Sequence, residues 1–262
     1  MYKVTILGSG AAPGVPSIAL GWGRCDAANP KNCRTRTSTY IEYNGIGLLV
    51  DTSPDLRWQL LQNHINSLDG VLYTHSHADH LHGIDDLREI NRLKKTSLNF
   101  YATKSTVEVI ERSFPYLLAK REKENNISMQ PSLIANEVFY YKEFYINGMK
   151  IVPIRLLGHV LPSTGYIFND GEVVYIADYR SIEEEAFKFI TKPVKLMIVP
   201  LTTIEGSHFH ASFEEIMRDV ERLAPKMAII NHMASECDYA EIEKMTPENV
   251  EPGFDGMSVE FE

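Results

Sequence analysis

The sequence predicts an α/β fold in which two β-sheets pack face to face and helices cover them on the outside. Short aliphatic and β-branched runs alternate with segments of helical periodicity along the whole chain. With 262 residues and 44% hydrophobic side chains, the chain can bury one sizeable core. Because no linker-like, low-complexity or repeated stretch interrupts the pattern, we expect a single domain over residues 1–262.

The predicted strands are short apolar runs bounded by turn residues, at 2–7, 40–43, 47–50, 70–73, 98–101, 151–154, 165–168, 173–177, 196–200 and 227–230. The predicted helices place apolar residues three and four positions apart, at 54–63, 85–93, 105–113, 182–189 and 212–223. Ser212 and Glu215 form a capping-box pattern, which marks the start of the last helix.

The charge of the chain limits its partners. A net charge of −9 disfavours the broad phosphate-binding surface that long nucleic acids require, so a small anion fits better. No apolar run approaches the length of a membrane span, and residues 1–7 read as an opening strand without a cleavage pattern. We therefore predict a cytoplasmic protein. The odd number of cysteines, Cys25, Cys33 and Cys237, agrees with a reducing compartment.

Metal-binding side chains cluster in residues 74–80, directly after the apolar run 71–73. In an extended segment His75 and His77 point to the same side, so they can bind one cation together. If the chain then turns into a helix, Asp79 and His80 point elsewhere and can hold a second cation. We therefore predict two divalent metal ions per chain, with zinc or manganese as suitable ions, although iron would also accept these donors.

The pattern His-x-His-x-Asp-His after a strand, followed by Gly83, resembles the signature of the metallo-β-lactamase superfamily. That resemblance implies a four-layer αββα sandwich with the site at one edge. It also implies further ligands at strand ends, which His159, Asp178 and His232 would supply. By the same resemblance, one cation is bound by His75, His77 and His159, the other by Asp79, His80 and His232, and Asp178 bridges them; Asp79 is also expected to be catalytic.

Other segments narrow the resemblance. Residues 8–16, 29–38, 80–88 and 253–257 are similar to phosphoribosyl cyclic phosphodiesterases. This likeness implies a two-metal phosphodiesterase that acts on a small cyclic or nucleotide-like phosphate ester. Two divalent cations carry more positive charge than Asp79, Asp178 and a shared hydroxide cancel, so an anionic substrate is expected.

Three residues outside the ligand set are candidates for other roles. By similarity His210 aligns with the catalytic histidine of that branch, and we predict that it protonates the leaving group, whereas His208 is interpreted as a surface residue. Arg88 is the first choice for a substrate phosphate contact, because it follows the metal motif within about two helical turns. Asp51, at the end of a predicted strand, is expected to accept a hydrogen bond from a ligand imidazole.

The sequence departs from the branch in the segment between the first two predicted strands. Relatives often carry a structural zinc site there, made from clustered cysteines and a histidine shortly after the last catalytic ligand. Here Cys25 and Cys33 stand apart, and Ser235 occupies the position three residues after His232. We therefore predict no structural zinc, and expect packing and Pro13, Pro16 and Pro30 to hold this segment.

Other functions stay open at this point. A transfer-RNA-processing ribonuclease would share the ligands but needs a basic docking arm, which this acidic chain does not show. In a lactam or thioester hydrolase, Asp178 would be an unusual bridging ligand, and a non-enzymatic metal protein would leave His210 unexplained. Residues 119–132 lack an apolar face and form either a solvated loop or a lid. The oligomeric state is open, a homodimer included.

Overall fold

The structure, a computed structural model, describes residues 1–118 and 133–262. The segment 119–132, for which the sequence left a solvated loop or a lid open, lies outside the described residues. Within them, two β-sheets face each other and helices pack on their outer faces. This arrangement confirms the predicted four-layer αββα sandwich.

The strands, in chain order, are β1 (Tyr2–Gly8), β2 (Ser38–Tyr43), β3 (Ile46–Val50), β4 (Gly70–Leu72), β5 (Leu98–Ala102), β6 (Leu133–Glu137), β7 (Phe144–Ile146), β8 (Met149–Leu157), β9 (Ser163–Phe168), β10 (Val173–Tyr175), β11 (Ser181–Ile182), β12 (Leu196–Pro200), β13 (Met227–Asn231), β14 (Val250–Pro252) and β15 (Ser258–Phe261). Each predicted strand coincides with one of these. The remaining strands are short edge or hairpin segments, whose apolar pattern is too brief to stand out.

The α-helices are α1 (Leu56–Gln62), α2 (Ala78–Leu81), α3 (Leu87–Lys94), α4 (Lys104–Ser113), α5 (Phe213–Leu223) and α6 (Tyr239–Met245). The predicted helix 182–189 is wrong, because residue 182 belongs to β11, which pairs with β8, and Glu184–Phe189 is a 3-10 helix. The capping box at the start of α5 is present as predicted. Within the described ranges, no helix has the length and apolar character that crossing a bilayer requires.

Each sheet has an antiparallel part and a parallel part. The first runs β15-β1-β2-β3-β4-β5-β6 and is parallel from β3 to β6. The second runs β11-β8-β9-β10-β12-β13-β14, with β7 paired to β8, and is parallel from β10 to β14. In a parallel sheet the carboxyl ends of the strands meet at one edge, so residues that follow them are brought together there.

Side chains alternate between two cores along the strands of the first sheet. Leu48 and Leu72 belong to the core that is shared with the second sheet. Their neighbours Leu49 and Val71 belong to a separate core beneath α1, α3 and α4. This two-residue alternation is the expected result of burying both faces of a sheet.

The segment between β1 and β2 is held by a buried arginine as well as by packing. Arg34 is 2% exposed, and its guanidinium donates to Asn32 Oδ1 (3.0 Å) and to the Ala234 carbonyl (3.4 Å). Asn32 Nδ2 in turn donates to Asp238 Oδ2 (2.6 Å). These bonds join the segment to the turn that follows β13.

The cysteines and prolines of this region take different positions. Cys25 and Cys237 are buried and Cys33 is exposed, and all are free thiols. Arg34 Nη1 lies 3.9 Å from the Cys25 sulfur. Pro30 begins a 3-10 helix, which agrees with its expected structural role. The lack of a structural zinc stays a prediction.

The core between the sheets can be tested by truncation. We expect Leu48→Ala to lower the free energy of unfolding by about 2–5 kcal/mol, because the fully buried side chain leaves a cavity. Urea denaturation followed by circular dichroism measures this loss. Leu61, which is 55% exposed on α1, is the control, and Leu61→Ala should cost less than about 0.5 kcal/mol. Equal losses would contradict the assignment of Leu48 to the core.

Candidate metal centre

The predicted metal donors meet at the edge where the parallel strands end. His75 and His77 follow β4, and α2 carries Asp79 and His80. From the second sheet, His159 follows β8, Asp178 follows β10 and His232 follows β13. Their ligand atoms form two groups, and within each group all atoms lie within 4.8 Å of one another.

The first group contains three imidazoles around one point. His77 Nδ1 lies 3.0 Å from His75 Nε2 and 3.1 Å from His159 Nε2. Asp178 Oδ2 lies 4.0 Å from both of those Nε2 atoms. A tetrahedral zinc ion with Zn–N bonds of about 2.0–2.1 Å separates its nitrogen ligands by about 3.3 Å. The nitrogen spacing therefore fits a single cation.

The second group lies on the other side of Asp178. Asp79 Oδ2 is 3.2 Å from His232 Nε2 and 3.4 Å from His80 Nε2. Asp178 Oδ1 is 3.4 Å from His232 Nε2, while its Oδ2 is 3.7 Å from His80 Nε2. Asp178 thus faces both groups with its two carboxylate oxygens, which is the position of a bridging ligand.

A buried carboxylate behind the ligands sets their protonation. Asp51 accepts hydrogen bonds from the Thr74 amide (2.8 Å), the Thr74 hydroxyl (2.8 Å) and His80 Nδ1 (2.6 Å). Since the Thr74 hydroxyl proton is given to Asp51, His75 Nδ1 must donate to Thr74 Oγ1 across 3.0 Å. Both imidazoles therefore keep a proton on Nδ1 and turn Nε2 toward the metal groups, as predicted for Asp51 and extended here to His75.

Two buried polar atoms of the centre show that cations fit it. His80 Nε2 and Asp178 Oδ1 are buried and have no hydrogen-bond partner among residues 1–118 and 133–262. A buried polar atom without a partner costs about 1–3 kcal/mol. His80 Nε2 faces carboxylate oxygens of Asp79 and Asp178, and Asp178 Oδ1 faces His232 Nε2. A cation between these atoms satisfies their lone pairs, so the donor set fits divalent metal ions.

The electrostatics of the centre point the same way. Burial raises the pKa of Asp178, but His232 and His80 outweigh burial and hold that pKa well below its usual range. Burial lowers the pKa of His80, yet Asp51 and Asp79 raise it well above the ordinary value. Desolvation lowers the pKa of His159 to about 4. The carboxylates are thus ionised and favour positive charge at His80 Nε2, carried by a proton while no cation is bound and by a metal ion in its place.

Two residues of the centre hold an uncommon backbone conformation. Asp51 has φ of +61° and His232 has φ of +55°, both in the left-handed region. Such a conformation costs about 1–3 kcal/mol in a residue other than glycine, and it persists where the surroundings enforce it.

The Thr202 hydroxyl, 3.2 Å from His232 Nδ1, is a further partner that sequence reasoning missed. Its position two residues after a strand was the available signal.

The other candidate residues lie at different distances from the ligands. The half-buried His210 ring lies with its centroid 5.2 Å from that of His159 and 6.3 Å from that of His232. His208 is exposed, as interpreted. Arg88 forms an exposed ion pair with Asp85 at 3.9 Å, so the structure does not bring it into the ligand cluster. Its substrate contact stays a prediction.

The orienting role of Asp51 can be measured through metal affinity. We expect Asp51→Asn to weaken metal binding about 10- to 100-fold, because the neutral amide no longer fixes the proton on His80 Nδ1. Competition with a chromophoric chelator measures the affinity.

Asp255 provides a matched control. Its carboxylate also accepts several hydrogen bonds, and in the described part of the chain these come from Ser9 and Thr35 and not from a metal donor. Asp255→Asn should leave the metal affinity of the folded protein unchanged. If both substitutions weaken metal binding equally, Asp51 acts through general stability and not through its ligands.

Comparisons with known proteins agree with this geometry. A family described as the beta-lactamase superfamily domain matches residues 47–233. A curated relative, an octanoyltransferase of Porphyromonas gingivalis, is 29% identical over 257 residues, which are 97% of this chain and 51% of that protein. The chain therefore spans about half the length of this relative.

Solved structures are similar over nearly the whole chain. A diphosphatase of the PhnP family has a TM-score of 0.88 and 26% identity, covering 100% of this chain and 98% of that one. A metallo-beta-lactamase fold protein from Bacillus subtilis has a TM-score of 0.74 and 18% identity, covering 99% and 100%. The short form of human tRNase Z has a TM-score of 0.67 and 16% identity, covering 98% of each chain. The last two show the fold alone.

The family match includes the strands and the ligands of both groups, from β3 to the residue after His232. The fold and the paired donor groups are those that the sequence motif predicted. The chain belongs to the metallo-β-lactamase superfamily of hydrolases, and its two donor groups are suited to divalent metal.

Proposed function

We propose that the chain is a dinuclear metal phosphodiesterase that acts on a small cyclic or nucleotide-like phosphate ester. One observation carries this proposal. The Asp178 carboxylate lies between two donor groups, and the His210 ring lies beside one ligand of each group, His159 and His232. A phosphate ester held at this point would have a proton donor next to it.

The ligand assignment follows the two groups. His75, His77 and His159 would hold one ion, Asp79, His80 and His232 the other, and Asp178 both. Two divalent cations, zinc or manganese, supply Lewis-acid activation of water and of the ester phosphate when they are bound. The donor set contains only two carboxylates, Asp79 and Asp178, so the filled centre keeps a net positive charge and attracts an anionic substrate.

His210 is proposed to give its proton to the leaving oxygen. Burial lowers the pKa of His210, which makes the protonated ring a stronger acid but a smaller fraction at neutral pH. Asp79, a ligand of the second ion, would contribute to catalysis by holding that ion against His232. Arg88 remains the proposed contact to the substrate at the outer surface.

The substrate class is supported by charge and by likeness. A net charge of −9 opposes the docking of a long polyanion, which favours a small ester over a precursor transfer RNA. The PhnP-family relative, at 26% identity over the whole chain, is a diphosphatase. This chain covers only half of the octanoyltransferase relative, so the activity of that protein is not transferred to it. An octanoyl thioester is included as a competing substrate to test.

A substrate screen on metal-loaded protein tests the proposed reaction. The substrates are bis-p-nitrophenyl phosphate, a nucleoside cyclic phosphate, a diphosphate ester, precursor transfer RNA, an octanoyl thioester and nitrocefin. We expect turnover of the small phosphate esters only, abolished by a chelator and restored by zinc or manganese, because both ions must fill the donor groups. Turnover confined to the thioester, the lactam or the RNA would refute the proposal.

The role of His210 predicts a selective loss. His210→Ala should lower kcat about 10²- to 10⁴-fold while the metal content per chain stays at the parent value, because the ring donates a proton but binds no ion. His208→Ala, in the same loop, is the control and should keep the parent rate. Elemental analysis and steady-state kinetics measure both quantities. An unchanged kcat in the His210 variant would show that protonation comes from elsewhere.

A further inference from the structure

An ion pair joins three loops that carry the ligands and His210. Arg180 follows the proposed bridging ligand Asp178 by two residues, and its Nη1 donates to Glu215 Oε2 in the first turn of α5. The Arg180 amide donates to the Leu157 carbonyl (2.7 Å), at the end of the strand that leads to His159. One residue therefore contacts the loops of both ligands and the helix that follows His210.

Arg180 can lie against the His159 loop because residue 158 is a glycine. Gly158 has φ of +82°, and a Cβ there would lie 2.3 Å from the Arg180 Cβ. Such a distance is far below van der Waals contact, so a larger residue would push the two loops apart. The backbone of the His159 loop thus lies directly on Arg180.

Glu215 transmits this anchor to the His210 loop. The carboxylate oxygen that binds Arg180 also accepts from the Ser212 amide (2.8 Å), and the Ser212 hydroxyl accepts from the Glu215 amide (3.4 Å). The Ala211 amide donates to the Tyr179 carbonyl (2.9 Å). Both residues that follow His210 are therefore bonded to the segment 179–180 or to its partner.

The residues before His210 close the loop upon itself. The Ser207 amide donates to the His210 carbonyl (2.9 Å), and the His210 amide donates to Ser207 Oγ (3.1 Å). With its backbone bonded on both sides, His210 has little freedom except rotation of the ring. The orientation of that ring depends on where the loop is anchored.

We infer that the Arg180–Glu215 ion pair is a positioning device, which fixes the His210 loop to the loops of His159 and Asp178 and so holds the imidazole beside the metal ligands. The inference rests on the proposed function, because it assigns to both residues an effect on catalysis through His210. Neither side chain contacts a metal donor in the contacts described above. Misplacement of a reacting group by about 1 Å can cost about 100-fold in rate.

The choice of variants separates positioning from folding. Glu215→Gln keeps an oxygen acceptor for the Ser212 amide, so the cap of α5 can persist, but removes the charge that binds Arg180. Arg180→Gln removes the cation, and Arg180→Lys keeps it. Arg222→Gln is the matched control. Arg222 lies in α5, like Glu215, but near the other end of the helix from His210, and it forms a two-point ion pair with Glu184.

We expect Glu215→Gln and Arg180→Gln to lower kcat about 10- to 100-fold with little change in KM or metal content, and Arg180→Lys to recover part of the rate. Arg222→Gln should behave like the parent. In a His210→Ala background, Glu215→Gln should cause no further loss, because the Arg180–Glu215 ion pair acts only through the His210 ring. Losses that add fully in the double variant would overturn the inference.

A second readout does not depend on turnover. In the metal-loaded protein, the NMR signal of the His210 ring should shift or broaden in Glu215→Gln and stay in place in Arg222→Gln. An unchanged His210 signal in Glu215→Gln would refute positioning even if the rate fell. A parent protein that holds two metals but hydrolyses none of the esters would instead refute the proposed function. The His210 ring signal would still show whether the Arg180–Glu215 ion pair positions that ring.

Discussion

The structure depends on one electrostatic constraint: carboxylate oxygens and imidazole nitrogens lie close together in a buried site, which requires positive charge between them. Asp178 lies between two such groups, and the buried Nε2 of His80 faces carboxylate oxygens of both Asp79 and Asp178. Without positive charge this arrangement would lose the solvation of its ions and gain nothing in return. Metal binding and the formation of this edge of the sandwich are therefore coupled.

The two sheets solve the problem of bringing these donors together. His75 and His232 come from different sheets and are far apart in the chain, yet both follow parallel strands whose ends lie at the same edge. Behind them, Asp51 orients His80 directly and His75 through the Thr74 hydroxyl. One carboxylate thus sets the ring orientation in both donor groups, which couples the two groups to each other.

The sequence was sufficient for the features that are encoded locally. The His75–His80 spacing is visible in a few residues and predicts donors by itself. His159, Asp178 and His232 were expected from the family resemblance, which an apolar run before each of them supported. The β11 strand was mistaken for part of a helix, since its pairing with β8 is a tertiary contact. Ala234, which accepts from Arg34, and the two residues of the Arg180–Glu215 pair are distant from their partners in sequence, so no local pattern reveals these contacts. Thr202 offered only its position shortly after a strand. Arg88 looked close in sequence but faces Asp85 at the surface.

Arg34 has a consequence for how the protein responds to metal supply. Its guanidinium, which stays charged at any physiological pH, joins the loop before β2 to the turn after His232 by ordinary hydrogen bonds. A cross-link of this kind is present as soon as the chain folds and cannot be removed by a chelator. When no cation is bound, this link between the loop and the turn would therefore persist, and only the arrangement of the donor side chains would depend on metal.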